Sequence, residues 1–125
     1  MTEYRILITG SRHWGDAAAV NKALLDATNG MDRARVTVVH GNAQGADRHA
    51  GNAAEFYGMN VEVHPADWNK HGKAAGPIRN QKMVDLGADI CLAFPHPTFK
   101  SVGTRHCMKA AEKAGIPVKV IEGDV

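Results

Sequence analysis

The chain has 125 residues, the length of one domain, and 44% of them are apolar, which excludes a disordered chain. Its net charge of +2 is too small to indicate a nucleic-acid-binding face, although a local site for a small anion needs only a few cations. No apolar run approaches the ~20 residues that span a bilayer, and the N-terminal segment lacks the layout of a signal peptide. We therefore expect one cytoplasmic domain over residues 1–125, with neither a membrane nor a nucleic-acid partner.

Short apolar runs alternate along the chain with runs of helical periodicity. The runs at 5–9 and 90–94 are apolar at consecutive positions, as is typical of strands buried on both faces. In chain order we predict strand 5–9, helix 16–28, strand 36–39, helix 46–57, strand 60–63, helix 76–86, strand 90–94, helix 104–114 and strand 118–121. The third strand alternates polar and apolar residues, which predicts that it is half exposed.

Strands that alternate with helices through short connections predict an α/β fold. We expect a Rossmann-like three-layer sandwich, in which helices cover both faces of a mostly parallel five-stranded sheet. Ligands bind such sheets beyond the carboxyl ends of the strands, at the point where strand order reverses. The two most apolar strands, 5–9 and 90–94, are the expected neighbours there. The loops that begin at Gly10 and Pro95 should then face each other across a crevice.

Gly10, Ser11 and Arg12 directly follow the first strand. Glycine permits a tight turn, the serine hydroxyl and nearby amides can hold a phosphate oxygen, and arginine adds a forked cation. The alternative interpretation is an ordinary turn with a solvated arginine. The position at the carboxyl end of a strand favours a ligand site.

A second glycine-rich turn follows the second strand, where Gly41 and Gly45 bracket a short loop. Backbone amides in such a loop can approach a phosphate or a ribose closely. Asp47, in the first turn of the next helix, either accepts from a ribose hydroxyl or complements the helix dipole. Because no G-x-G-x-x-G follows the first strand, we infer no NAD redox cofactor.

The long segment 64–76 leads into a helix whose first turn carries Arg79 and Asn80. Loops of this length without regular structure are usually functional or disordered. Trp68 in this loop favours packing or base stacking over disorder. An arginine beside a helix N-terminus makes sense chiefly if an anion binds there, the alternative being an ion pair with Asp67 or Asp85.

Gly103 and Thr104 stand at the start of the fourth predicted helix, where a glycine and a capping hydroxyl form either a phosphate cradle or an ordinary N-cap. The seven histidines show no metal-ligand spacing, so we predict neither a metal site nor a cofactor. Cys91 and Cys107 are expected to be reduced, packed thiols.

Taken together, the motifs resemble the YspA-like (cpYpsA-related) group of the SLOG superfamily over nearly the whole chain. The matching segments are G-S-R at 10–12, H-G-N-A-Q-G-A-D at 40–47, H-P-A-D-W at 64–68, H-G-K-A-A-G-P-I-R-N at 71–80 with M-V at 83–84, and G-T at 103–104. This resemblance implies a Rossmann-like fold that binds nucleotides or nucleotide-derived ligands, including ADP-ribose-type signals.

The same superfamily contains the LOG phosphoribohydrolases, in which an arginine precedes a helical run that ends in methionine. Arg79 matches that arginine, and Met83 follows it by four residues. LOG enzymes also carry P-G-G-x-G-T-x-x-E with a catalytic glutamate. Here the G-T remains at 103–104, the P-G-G is absent, and Cys107 occupies the glutamate position. A thiol neither stabilises an oxocarbenium-like species nor activates water well, and only Asp47 or Asp67 offers a substitute carboxylate.

We therefore rank three hypotheses. The first is a sensor or binding protein for a nucleotide-derived phosphate ligand. The second is an N-glycosidase similar to LOG enzymes, with Arg79 as a catalytic residue and Asp47 as the weaker candidate. The third is a protein interaction module. By analogy with LOG dimers we also expect self-association, for which the alanine-rich helix 45–58 offers a close-packing face.

Overall fold

A computed structural model describes residues 3–123 of the chain. Two 3-10 turns, Arg33–Arg35 and Gly72–Ala74, accompany the regular elements. In chain order the strands and helices are β1 (Tyr4–Gly10), α1 (Ala17–Ala27), β2 (Val36–His40), α2 (Ala46–Phe56), β3 (Asn60–Val63), α3 (Trp68–His71), α4 (Ala75–Asp85), β4 (Ile90–Phe94), α5 (Val102–Lys113) and β5 (Val118–Val120).

The strands form one parallel sheet in the order β3-β2-β1-β4-β5. Leu7 in the centre of β1 pairs with Val39 on one side and with Cys91 on the other. The chain moves outward from β1 to β3 and then crosses back to β4, so the strand order reverses between β1 and β4. The predicted Rossmann-like α/β fold and the predicted β1–β4 adjacency are confirmed.

Successive side chains of β1 point to opposite faces and enter two separate cores. Ile6 and Ile8 face α1 and α2, whereas Leu7 faces α4 and α5. Both predicted thiols, Cys91 and Cys107, are buried and unbridged in the second core. Apolar residues at consecutive positions of β1 thus reflect a strand covered on both sides.

Three predicted boundaries were wrong. The predicted loop 64–76 contains α3, and α4 begins at Ala75, which places Pro77 at the third helical position, where an amide also lacks an intrahelical partner. Helix α5 begins after Ser101, so Thr104 is a buried residue of its first turn and not its cap. The sequence offers two hydroxyl residues three positions apart and does not reveal which one is buried.

The alanine face of α2 is not available for self-association. Ala46, Ala50, Ala53 and Ala54 are all buried in the core shared with α1. This helix therefore gives the expected self-association no support. The helices within residues 3–123 are all too short or too polar to span a bilayer.

An ion-paired cluster ties β1 to β3 across the sheet. The Arg5 guanidinium donates to both Glu62 carboxylate oxygens, at 2.8 and 3.1 Å, and His64 Nε2 lies 2.8 Å from Glu62 Oε2. Hydrogen bonds from Arg5 and His64 lower the pKa of Glu62 from 4.5 to about 2. The cluster positions the start of the segment that leads to α3.

Glu62→Gln is expected to make the free energy of unfolding less dependent on pH below about pH 4.5. Because the folded-state pKa of Glu62 is depressed, its stabilisation is present above pH 4.5 and is lost as the pH falls towards about 2. Urea midpoints of wild type and variant across this range measure the effect. Asp26→Asn, which breaks the exposed Lys22–Asp26 pair, is the control and should change little. Parallel profiles for wild type and Glu62→Gln would contradict this prediction.

Candidate functional site

A cleft of about 790 Å³ lies at the carboxyl ends of β1 and β4. This volume is within the ~300–1,000 Å³ range of small-molecule sites. Its wall comes from four parts of the chain: the end of β1 with the loop after it, the loop after β2 with the start of α2, the α3–α4 region, and the start of α5 with the residues just before it. The loops after β1 and β4 lie against each other, since the Ser11 amide donates to Phe94 O at 3.0 Å and the His13 ring stacks on Phe99 at 4.2 Å.

The structure brings most of the predicted site residues together. Nine of the eleven line this one cleft, while Gly41 and Gly45 lie behind its wall. The nine are Gly10, Ser11, Arg12, Asp47, Trp68, Arg79, Asn80, Gly103 and Thr104. Sequence reasoning missed three further basic residues and two histidines that line the cleft, Arg48, Lys73, Lys100, His13 and His106. Lys73 belongs to the matching segment at 71–80 but was not singled out, whereas Arg48 and Lys100 lie outside the quoted segments.

The cleft is electropositive. Of the described residues that line it, five are basic and Asp47 is the single acidic one. The basic residues are Arg12, Arg48, Lys73, Arg79 and Lys100. Like charges on the wall of a concave site raise the local concentration of ligands of opposite charge. The wall therefore suits an anion.

Arg79 joins three parts of the site. Its Nη1 donates to the carbonyl of Gly41 at 2.7 Å and to that of His64 at 3.3 Å, and its Nε donates to Asn80 Oδ1 at 2.9 Å. The alternative that Arg79 pairs with Asp67 or Asp85 is thus not what the structure shows. One edge of the guanidinium holds the ends of β2 and β3 together, and the side chain still lines the cleft.

Gly41 makes room for that guanidinium. A Cβ on Gly41 would overlap the Arg79 side chain. Gly45 has φ +79° and packs against the carbonyls of Ser11 and Arg12, so a side chain there would also collide. Both glycines shape the site from behind, and their direct contact with a ligand stays a prediction.

Asn80 extends this network to α5. The side chain is buried, and its Nδ2 donates to Gly103 O at 3.1 Å. A chain of hydrogen bonds therefore runs from the end of β2 through Arg79 and Asn80 to the first turn of α5. Its members hold one another in place, which preorganises the cleft wall.

Three backbone amides of the loop after β2 already have acceptors within the chain. Asp47 Oδ2 accepts from the Gly41 and Ala43 amides at 3.0 and 3.3 Å, and His40 Nδ1 accepts from the Asn42 amide at 2.9 Å. Burial and the neighbouring Arg79 and His64 lower the pKa of His40, so its ring is neutral and accepts at neutral pH. These three amides hold the loop and are not phosphate donors, contrary to the predicted cradle.

Asp47 has a second carboxylate oxygen with a different environment. The side chain is 5% exposed, and Oδ1 has no partner among the described residues. Burial raises the pKa of this carboxyl from 3.8 to about 6, against the opposing effects of the two amides and Arg79. The group is thus ionised at neutral pH but close to its titration.

The N-terminus of α5 faces the cleft without a side-chain cap from the described residues. Ser101 occupies the N-cap position, but its hydroxyl lies 3.2 Å from the His96 amide and 3.4 Å from Phe99 O. The first amides of a helix have no intrahelical acceptor and carry the positive end of its dipole. This helix start, beside Gly103, is suited to bind an anion.

Trp68 supplies an aromatic surface on the rim. Its side chain is 60% exposed and its ring end lies near Gly76, where a Cβ would come within 3.5 Å. A planar apolar group of this size can stack a nucleobase.

Neither of the other groups considered for catalysis reaches the cleft. Cys107 is fully buried in the second core, and Asp67 caps α3 by accepting from the Lys70 amide at 3.1 Å. Asp47 is thus the carboxylate that the described wall offers. Within residues 3–123, His, Cys, Asp and Glu side chains form no group of three suited to a metal ion.

Asp47→Asn is expected to stabilise the chain increasingly as the pH rises. Because burial raises the folded-state pKa of Asp47 to about 6, ionising it disfavours the folded state between about pH 4 and pH 6. A rise of about two pKa units corresponds to about 3 kcal/mol. Urea unfolding at about pH 4 and about pH 7.5 measures this difference, and asparagine keeps an oxygen for the two amides. A stability difference independent of pH would contradict the assignment.

Comparison with known proteins identifies the family. The profile of the "YspA, cpYpsA-related SLOG family" matches residues 4–71. The Gene 61 protein of Mycobacterium phage D29 is 52% identical over 119 residues, which cover 91% of this chain and 93% of the phage protein. This relative shares most of its length with the chain, and its name states no activity.

A solved structure shares the fold. DNA processing protein A (DprA) from Streptococcus pneumoniae matches with a TM-score of 0.77 and 18% identity. The match covers 98% of this chain and 52% of that chain, so the chain spans about half the length of this neighbour. At this identity the likeness bears on the fold alone.

Proposed function

Because the chain belongs to the YspA, cpYpsA-related SLOG family, we propose that its cleft binds a nucleotide or a nucleotide-derived phosphate ligand, including the ADP-ribose type. The observation that carries this proposal is the convergence of five basic side chains and an uncapped helix start on one cleft. Such a wall lowers the free energy of a bound phosphate and would gain nothing from a neutral ligand.

The parts of the cleft match the parts of a nucleotide. The N-terminus of α5 and the free edge of Arg79 suit phosphate, because amides at a helix start and a guanidinium both donate to phosphate oxygens. Trp68 on the rim suits a base. Cys107, which occupies the position of the LOG glutamate, is buried in the second core, so we propose a binding or sensing protein as the first function.

A calorimetric titration tests this proposal. The ligands are AMP, ADP, ADP-ribose, pyrophosphate and a single-stranded oligonucleotide, the last included because the structural neighbour is a DNA processing protein. We expect micromolar binding of at least one nucleotide and weaker binding of pyrophosphate. Binding of no nucleotide tighter than about 1 mM, or binding of the oligonucleotide alone, would overturn it.

Hydrolysis of an N-glycosidic bond is the second candidate, and the position of Asp47 favours it. This carboxylate lines the cleft, and its pKa is raised to about 6. A group with a pKa near neutrality is suited to general acid–base catalysis. A carboxylate there can stabilise an oxocarbenium-like species and activate water. Arg79 would grip the phosphate.

Chromatography of AMP after incubation with the protein decides whether the chain is an enzyme, because it detects released adenine. If it is, Asp47→Asn should abolish the release and Arg79→Ala should reduce it strongly. Release at the wild-type rate by Arg79→Ala would contradict a phosphate-gripping role for this arginine. Intact AMP after prolonged incubation with a protein that binds it would leave the sensing function as the better description.

A further inference from the structure

Two buried polar atoms without a partner belong to the same cleft. Within residues 3–123 the side-chain atoms in this condition are Asp47 Oδ1 and His106 Nδ1, and both residues line the cleft wall. Folded proteins rarely leave a buried polar atom unpaired, and such atoms call for an explanation such as a ligand, an ion or a catalytic role. Their shared location indicates a ligand.

His106 lies on the cleft face of α5. It follows Gly103 by three residues, which places both on one side of the helix, and both line the cleft. Asp47 approaches from the first turn of α2, which covers the other face of the sheet. The two residues thus come from opposite layers of the sandwich and line one cleft.

The chemistry of the two atoms excludes phosphate as their shared partner. A carboxylate oxygen only accepts hydrogen bonds and repels a phosphate anion, whereas an imidazole nitrogen donates or accepts according to its tautomer. A hydroxyl group can donate to the carboxylate and can satisfy either tautomer of the imidazole. A sugar that carries two hydroxyls offers one to each atom.

On the basis of the proposed function, we propose that Asp47 and His106 bind the sugar hydroxyls of the nucleotide and so select ribonucleotides over deoxyribonucleotides. The phosphate then lies at the start of α5 and at Arg79, which divides the wall into a phosphate part and a sugar part. Both atoms are shielded from water, so the hydroxyls reach them once the Asp47 and His106 side chains turn towards the cleft on binding. A ligand that lacks the hydroxyl leaves a buried group unpaired and is disfavoured.

Calorimetry with four probes tests the selection: ADP, 2′-deoxy-ADP, 3′-deoxy-ADP and pyrophosphate. Wild type should bind ADP at least about tenfold more tightly than one of the deoxy forms. Asp47→Asn and His106→Ala should bring this ratio close to one. His106→Asn, which keeps a polar group near the Nδ1 position, should retain part of the preference.

The outcomes separate the two proposals. If ADP and pyrophosphate bind but wild type does not discriminate between ADP and either deoxy form, the sugar selection is wrong and the phosphate site stands. If neither ADP nor pyrophosphate binds, both proposals fail together. Inosine diphosphate is a further probe, since a loss of affinity that disappears in Asp47→Asn would assign this carboxylate to the base amine and overturn the sugar assignment.

A measurement on wild type removes any dependence on how the variants fold. In a ¹⁵N spectrum of the histidine side chains, ADP should shift the Nδ1 resonance of His106, whereas pyrophosphate should leave it in place. Equal shifts with both ligands, or none with ADP at saturation, would contradict the proposed contact.

Discussion

Gly41→Ala is expected to weaken ADP binding by about 100-fold, which corresponds to ~2.7 kcal/mol. The added Cβ would overlap the Arg79 guanidinium and displace it from the carbonyls of Gly41 and His64. Arg79 would then no longer present Nη2, which has no hydrogen-bond partner among the described residues, to a ligand in the cleft. Hydrogen bonds to a charged group contribute about 1.5–3 kcal/mol each, so the loss of one or two accounts for the effect.

Arg79→Ala should reproduce this loss, and Arg79→Lys should not restore binding. A lysine is a point charge that cannot reach two carbonyls and an amide oxygen with one planar group. The matched control is Gly15→Ala, since a Cβ at Gly15 meets no atom within 4 Å and the residue lies outside the cleft wall. Thermal unfolding of each variant separates loss of binding from loss of fold. Wild-type affinity in Gly41→Ala would contradict the proposed role of Arg79.

Trp14→Ala is expected to lower the free energy of unfolding by about 3–5 kcal/mol. Trp14 is 1% exposed, packs edge-on against Phe94 at 5.4 Å and donates from Nε1 to Asp16 O at 2.9 Å. It fills the space under the loop that follows β1, so its removal leaves a cavity beneath one side of the cleft. Domains are typically stable by only about 5–15 kcal/mol, so this variant should be close to unfolding.

Trp68→Ala is the matched control for that variant, because the chain has two tryptophans and Trp68 is 60% exposed. Its replacement should change stability by less than about 0.5 kcal/mol but should weaken nucleotide binding. Urea unfolding of both variants measures the contrast. A loss of less than about 1.5 kcal/mol in Trp14→Ala would show that the surrounding core residues close the space left by the missing ring. Equal losses in the two variants would contradict the difference in burial between the two tryptophans.

The sequence predicted the fold well because its signals are local. Consecutive apolar residues in β1 and β4 reported burial on both faces, and this burial identified the two neighbours at the strand-order reversal. The glycines and arginines that follow the first four strands were predicted to meet at one edge, and most of the predicted residues line one cleft. Parallel strands bring their carboxyl ends together whatever the details of packing.

The parts that the sequence did not predict depend on contacts between distant residues. The loop after β2 had the composition of a phosphate cradle, but His40 and Asp47 accept hydrogen bonds from three of its amides. Gly41 is required by a side chain 38 positions later in the chain. His106 carries no motif, and only its place one turn beyond Gly103 brings it to the cleft. Such pairings follow from the packed fold and not from local composition.

A structure determined from crystals of the protein soaked with ADP tests the phosphate site most directly. Electron density for a phosphate within hydrogen-bond distance of Arg79 and of the first amides of α5 is the expected result, with the sugar turned towards Asp47. An ordered ADP bound elsewhere on the surface, or a cleft without ligand density at saturating ADP, would contradict it.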